Sequence, residues 1–223
     1  MSVPAGCVDS CPLCGERGEP SVAGDGRRDF LRCTACRLVF VAPHSRLTVD
    51  DELRRYALHN NTTADAGYVA YLSTVADAVQ SLSGAASTVL DFGCGEHQVL
   101  SGLLTDRGIA CSAYDPLYGI GADALDRRYD VVVMCEVIEH LRDLSREVAL
   151  IGRLVARNGF VVVRTQVCEE TTDFRTWWYA QDPTHILFFT MPAIAEFSRR
   201  IGRGSVQQRG SDVFVLGPGS GHR

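Results

Sequence analysis

The stretch that decides the fold is STVLDFGCGEHQVLSGLLTDRG, residues 87–108. A short apolar run, Val89–Leu90, ends in Asp91, and a turn containing Gly93 and Gly95 follows. Val99, Leu100, Leu103 and Leu104 then recur at helical spacing. A second segment, IACSAYDP at 109–116, reads as a strand ending in another acid, Asp115. Strand, glycine turn, helix, strand and acid is the order of a doubly wound nucleotide-binding α/β fold. Glycines let the backbone approach a ligand with no side chain in the way. An acid at the end of the second strand can accept hydrogen bonds from both hydroxyls of a ribose, and Asp115 follows Gly93 by 22 positions, close to the roughly 20 such a site requires.

The turn also separates candidate ligands. Pyrophosphate wants a glycine-lined helix N-terminus with free amides. Here His97 stands at the third glycine position, and Glu96 would repel phosphate. Asp91, just before the turn, suits a cationic amino group instead. The combination LDFGCG followed by YDP resembles the first motif of the class I S-adenosylmethionine-dependent methyltransferases, a Rossmann-like family. The resemblance continues along the chain. YDVVVMCEVIEHL (129–141) is similar to that family's fourth strand and following turn. REVALIGRLVARNGFVVVRTQ (146–166) is similar to its helix, a turn at Asn158–Gly159 and the fifth strand. MPAIAEFSRRIG (191–202) and SDVFVLG (211–217) are similar to a last helix and an antiparallel closing strand. Only 14 residues separate Asp115 from Asp130, so the third strand of that family must be very short or missing. The resemblance implies S-adenosylmethionine as cofactor, held by Asp91, Gly93, Cys94, Gly95, Asp115, Pro116, Cys135 and Glu136.

The segment MCEVIEHLRD, residues 134–143, carries the reactive side chains. Glu136 ends the fourth strand, at the sheet edge where ligands bind in this fold, and the next turn presents Glu139 and His140. WWYAQDPTHILFF, residues 177–189, follows the fifth strand and adds His185 at the same edge. Two readings fit. In one, Glu136, Glu139 and His140 suit a second divalent ion, Mg, Mn, Fe or Zn, with Asp182 or His185 as a further ligand. This ExxEH…H arrangement resembles the small-RNA terminal 2′-O-methyltransferases and the O-methyltransferases of quinone biosynthesis, and the first resemblance implies Glu136, Glu139, His140 and His185 as the ligands. In the other, no metal is present, and Glu136, His140 or His185 serves as the catalytic acid–base group. Trp177, Trp178 and Tyr179 are candidate substrate walls, with core packing as the alternative. His59 and Asn60, in the turn-rich HNNTTADAG stretch, are candidate substrate contacts, with a solvated loop as the alternative.

Upstream, CPLC at 11–14 and CTAC at 33–36 enclose 18 residues. Two CxxC knuckles at that distance are a zinc-ribbon signature. Cys11, Cys14, Cys33 and Cys36 would close a tetrahedral shell around a structural zinc. DFLRC and RLVFV alternate like hairpin strands around the second knuckle. WWY..DPTH..FF is similar to bacterial methyltransferases of small metabolites that also carry an N-terminal ribbon. The expected organisation is a ribbon over 1–43, a helical joining segment or lid over 44–83 and a methyltransferase domain over 84–223.

The 223 residues are 46% apolar with formal charge −5. Nothing here is polybasic, so a protein that works by neutralising nucleic-acid phosphates is disfavoured; Arg27 and Arg28 form a local basic spot. The absence of an apolar leader or long apolar run predicts a cytoplasmic enzyme that does not cross a membrane. The expected reaction is methyl transfer to a small-molecule hydroxyl. The rivals are an RNA 2′-O-methyltransferase docked through the ribbon, and a non-catalytic binding module.

Overall fold

The protein is described by a computed structural model covering residues 10–20, 26–58, 62–84 and 87–219. His59 and Asn60 lie outside the described residues. Three short strands open the chain: β1 (Gly18–Pro20), β2 (Phe30–Cys33) and β3 (Val39–Val41). Two helices follow, α1 (Val49–Tyr56) and α2 (Ala66–Gln80). Thr48 caps α1 by accepting the Asp51 N–H, and Asp50, Asp51 and Glu52 fill its first turn, where negative charge offsets the exposed amides. Asp65 caps α2 in the same way through the Tyr68 N–H.

The glycine stretch folds as its pattern demands. β4 (Thr88–Phe92) leads through the turn into α3 (Val99–Asp106) and β5 (Ala110–Tyr114). Then come β6 (Tyr129–Cys135), α4 (Leu144–Leu154), β7 (Val155–Arg164), the one-turn α5 (Trp178–Gln181), β8 (Leu187–Phe188), α6 (Met191–Arg200), β9 (Ser205–Arg209) and β10 (Val213–Gly217). Six strands form one sheet in the order β5-β4-β6-β7-β10-β9. β5, β4, β6 and β7 run parallel, and β10 closes antiparallel on β7. Side chains alternate across it. Val131 and Val133 meet the α2 and α3 residues Val75, Val79, Leu100 and Leu104 on one face. Val132 and Met134 meet Val148, Ile151, Ile194 and Phe197 of α4 and α6 on the other. That period-two alternation sandwiches the sheet between helices.

Among the described residues no strand separates β5 from β6. The chain turns back through an antiparallel bridge, Asp115 to Ile120, and a 3-10 turn at Ala122–Asp126. Gly121 sits at φ +65°, and a Cβ there would collide with the Ala113 carbonyl oxygen. The missing strand is thus replaced by a hairpin lying against the β5 backbone. The expected turn at Asn158–Gly159 is absorbed within β7. Tyr129 pairs with Val155 and Val131 with Phe160, so residues 156–159 bulge out of the ladder.

A second, antiparallel sheet has the order β1-β2-β3-β8. Its last strand comes from beyond β7: Val39 pairs with Phe188 and Phe40 with Leu187. Cys11, Leu13, Phe30 and Leu38 pack in one buried cluster with Phe174, Tyr179 and Phe188. The amino-terminal strands therefore share both a sheet and a core with the segment that carries His185.

Candidate active site

β4 and β6 are neighbours, and the chain leaves them in opposite directions, toward β5 and β7. Their carboxyl ends flank the crevice where a doubly wound sheet binds ligands. Gly93 (φ +80°) and Gly95 (φ +68°) adopt left-handed backbone there. A Cβ on Gly93 would come within 2.5 Å of Val137, whereas one on Gly95 would meet nothing within 4 Å. Gly93 therefore serves packing across the crevice, and Gly95 leaves open space. Asp115 is buried; its Oδ2 accepts the Gly95 N–H and its Oδ1 the Leu117 N–H, both at 2.9 Å. Each oxygen keeps a second lone pair for a sugar hydroxyl. Cys94 is half-buried and Pro116 exposed. Asp91 points to the helix side of the sheet, where it accepts a 2.7 Å hydrogen bond from Ser101 on α3. Burial pushes its carboxyl up to about 6, so a nearby cation would stabilise its charged form. Open backbone at Gly95, spare acceptors on Asp115 and an acid seeking a cation all fit a nucleoside carrying an amino acid.

At the end of β6, Glu136 holds a left-handed φ of +53°, unusual for a residue with a side chain. Its Oε1 accepts the Tyr71 hydroxyl at 2.5 Å. The Arg164 guanidinium lies 3.2 Å from the Tyr71 ring centroid and forms a buried pair with Asp212. Burial raises the Glu136 carboxyl, and the hydrogen bond from Tyr71 opposes that shift. Cys135 beside it has a thiol pushed well up by burial.

A 3-10 turn at Ile138–His140 then presents the next two side chains. Glu139 is fully buried. Its Oε2 accepts the Thr165 hydroxyl at 3.1 Å, while its Oε1 has no hydrogen-bond partner among the described residues. Burial and the neighbouring Glu136 charge raise its carboxyl well above the ordinary range. His140 Nδ1 lies 3.1 Å from the Thr184 carbonyl oxygen and its Nε2 lies 3.9 Å from Glu139 Oε1. Burial holds this imidazole down to about 3, with His185 adding to the effect. His185 Nδ1 lies 2.7 Å from the Tyr179 carbonyl oxygen. A carbonyl only accepts, so both rings carry their proton on Nδ1. One ligand atom each from Glu139, His140 and His185 lies within 4.8 Å of the others. Glu136 is not in this set.

Of the three aromatic candidates, Tyr179 is wholly buried with its hydroxyl 3.0 Å from Thr165. Trp177 is half-buried against Phe174, Tyr179 and Phe188. Trp178 is 66% exposed. Four contributors were not singled out in the sequence: Tyr71, Thr165, Arg164, and Tyr56, whose ring stands edge-on to His140. Tyr71 lies within the helical stripe of α2, where a polar-tipped aromatic is the one available hint.

The cysteines form a separate centre. Cys11 and Cys36 Sγ are 3.6 Å apart, Cys14 and Cys33 3.3 Å, and all four ligand atoms lie within 4.8 Å. Zinc bonded to four sulfurs at about 2.3 Å spaces them by about 3.8 Å, so the set fits that ion. Each knuckle ends in a left-handed residue, Gly15 at φ +82° and Arg37 at φ +65°. The hydrogen bond from Cys36 pulls the Cys11 thiol down to about 5, and its counterpart pushes Cys36 up.

Fold and crevice define a Rossmann-like nucleotide-binding enzyme. Residues 52–202 match the family model of the methyltransferase domain, and the chain belongs to that family of S-adenosylmethionine-dependent methyltransferases. A search of curated proteins finds no match. Among solved structures, the chain is similar to an O-methyltransferase family protein of Burkholderia thailandensis, with 17% identity, TM-score 0.51, and 78% of this chain and 68% of that one covered. It is also similar to the 1,6-didemethyltoxoflavin-N1-methyltransferase of Burkholderia thailandensis, solved with its namesake compound and S-adenosylhomocysteine, at 16% identity, TM-score 0.50 and coverage of 89% and 97%. DesVI of Streptomyces venezuelae matches at 17% identity, TM-score 0.50 and coverage of 78% and 99%. At these identities the likeness shows the fold. Among the described residues no helix is long and apolar enough to cross a membrane.

Proposed function

We propose that the chain transfers the methyl group of S-adenosylmethionine to a hydroxyl oxygen of a small molecule, and that a divalent ion held by Glu139, His140 and His185 assists. The carrying observation is the convergence of these three ligand atoms within 4.8 Å, around a buried Glu139 oxygen that lacks a partner among the described residues. An uncompensated buried carboxylate is costly, and a cation offsets that cost. Imidazoles whose Nδ1–H is tied to a backbone carbonyl have the outer support typical of metal ligands. Two imidazoles with one carboxylate suit Fe, Zn or Mn better than Mg. When bound, such an ion lowers the pKa of a hydroxyl and orients its oxygen.

The chain's own residues do the rest. Asp115, Gly95 and the Cys135–Glu136 edge would hold the donor, with Asp91 near its amino group. Tyr71 keeps Glu136 at the rim of the crevice. Trp177 and Trp178 would cover the acceptor and exclude water, and alignment of the acceptor oxygen with the methyl carbon and sulfur supplies much of the rate. The small-molecule acceptor draws support from the 1,6-didemethyltoxoflavin-N1-methyltransferase of the same fold. A second reading, favoured by the 3.9 Å approach of His140 Nε2 to Glu139, has His140 take the hydroxyl proton at Nε2, with Glu139 stabilising the imidazolium. An RNA acceptor is disfavoured: Arg28 donates to backbone carbonyls inside the protein and is not a free phosphate contact.

Metal analysis separates the first two readings. The wild type should carry two equivalents, and His140→Ala and His185→Ala one each, with S-adenosylmethionine binding by calorimetry preserved in all three. One equivalent throughout sinks the second ion and leaves the His140 base. No binding of the donor in the wild type overturns the whole assignment.

A further inference from the structure

We propose that Arg28, on the amino-terminal module, is a positioning residue of the active site, setting the loop that aims His140 and His185. The inference rests on Glu139, His140 and His185 being the working cluster, but not on an ion being bound there.

Arg28 precedes β2, about 150 residues from the loop it meets. Its Nη1 donates to the His185 carbonyl at 2.9 Å and to that of Asp182 at 3.4 Å, and its Nη2 donates to the Ala180 carbonyl. The guanidinium carbon also stands 5.1 Å above the Phe30 ring. Three carbonyls of one loop thus converge on one planar cation, whose fixed fork of donors matches that geometry. The same loop owns both carbonyls that orient the imidazoles, Tyr179 for His185 and Thr184 for His140.

The backbone continues the link. Val41 on β3 donates to the Ile186 carbonyl at 2.9 Å, and Ile186 donates to the Glu139 carbonyl at 2.9 Å. One row of hydrogen bonds therefore runs from the ribbon sheet through the loop to the Glu139 backbone. Without the guanidinium, the converging carbonyl dipoles would repel one another and lose the donor they share, the Asp182 carbonyl keeping the His185 N–H at 3.2 Å. The loop would then relax away from β3, taking the imidazole supports with it. The amino-terminal module acts here in cis, as one wall of the active site's support.

The test uses the full chain with its ribbon ion in place, in wild type, Arg28→Ala and Arg28→Lys. Long-range proton–nitrogen spectra of the imidazoles report which ring nitrogen carries the proton. Mn(II) binding followed by electron paramagnetic resonance reports the assembled cluster. In Arg28→Ala the His185 Nδ1–H signature should be lost and Mn(II) affinity should fall about 10–100-fold, the range for losing outer support of a ligand. Four-cysteine ion content and S-adenosylmethionine affinity should stay at wild-type values. Arg28→Lys, which restores a cation but not the planar fork, should fall between the two. A folded Arg28→Ala protein with wild-type imidazole spectra overturns the proposal. Where Arg28→Ala fails to fold, a shifted His185 resonance in Arg28→Lys supports it and an unchanged one overturns it. If the wild type takes up neither Mn(II) nor a second equivalent of Zn or Fe, the metal reading fails while the spectra still decide Arg28. If Arg28→Ala binds Mn(II) as wild type does, with unchanged spectra, positioning fails and the metal reading stands.

Discussion

The four-cysteine cluster and the Glu139–His140–His185 cluster both gather groups able to hold a metal ion in largely buried positions, and they are assembled in opposite ways. Each cysteine pair comes from a single knuckle closed by its own left-handed residue, Gly15 or Arg37. The surrounding strands β1, β2 and β3 are three or four residues long, too short to be stable alone. An ion there would build the fold. The second cluster instead takes two residues from the turn after β6 and one from 45 positions further on. Its walls are a six-stranded sheet and a shared core that stand without it. Here the fold builds the site, and the site strains the fold through a buried carboxylate. Removing a ligand should therefore carry opposite signs in the two places.

Cys33→Ser gives the largest expected effect. Cys33 is fully buried at the end of β2, and losing a structural metal is among the few single changes that cost more than about 4 kcal/mol. Zinc content and thermal unfolding check it; an unchanged melting temperature with the ion gone would break the contrast. Asp91→Asn comes next, as a buried acid outside both clusters. Its carboxyl rises from 3.8 to about 6 on folding. The native state then holds the proton more tightly than the unfolded chain. Stability from this group is present at low pH and is lost as pH rises from about 4 through 6, a cost on the order of 3 kcal/mol at pH 7. The Asn variant should be more stable than wild type at neutral pH and flat across that window in denaturant titrations. Added S-adenosylmethionine should stabilise wild type more than the variant.

Glu139→Gln sharpens the comparison directly. Without added Mn(II) it should stabilise the protein by about 1–3 kcal/mol, because the amide avoids the proton uptake that burial and Glu136 force on the carboxyl during folding, while the hydrogen bond from Thr165 can persist. With Mn(II) present the order should reverse, since only the wild type gains from binding. Destabilisation under both conditions would mean that Glu139 is a structural residue. The smallest effect belongs to Trp178→Ala. At 66% exposure the change should alter unfolding free energy by less than about 0.5 kcal/mol. Near-identical melting curves are expected, whereas Trp177→Ala should melt earlier for loss of its ring contacts with Phe174 and Phe188.

Much of this was legible in the sequence because it is local. The β4–turn–α3 unit and Asp115 at the end of β5 follow from apolar periodicity and glycine placement, and the antiparallel closing strand β10 from the resemblance to the methyltransferases. The short gap from Asp115 to Asp130 announced the missing strand. What escaped was long-range. Asp91 faces Ser101 on the helix side because β4 alternates. Glu136 bonds to Tyr71, while Glu139, His140 and His185 are the residues whose potential ligand atoms lie within 4.8 Å of one another. Asn158–Gly159 bulges within β7 because β6 pairs on both sides of it.

The sequence by itself determined the two CxxC knuckles and the glycine turn, since each depends on backbone conformations and spacings within a few residues; the class of enzyme came from the resemblance those motifs carry. The tertiary structure alone decided that β3 would take β8 as its partner, that Arg28 would gather three carbonyls of a distant loop, and that His185 would meet Glu139 and His140. Those contacts join residues far apart along the chain, and they exist only where sheet pairing and a shared core bring complementary hydrogen-bonding groups together.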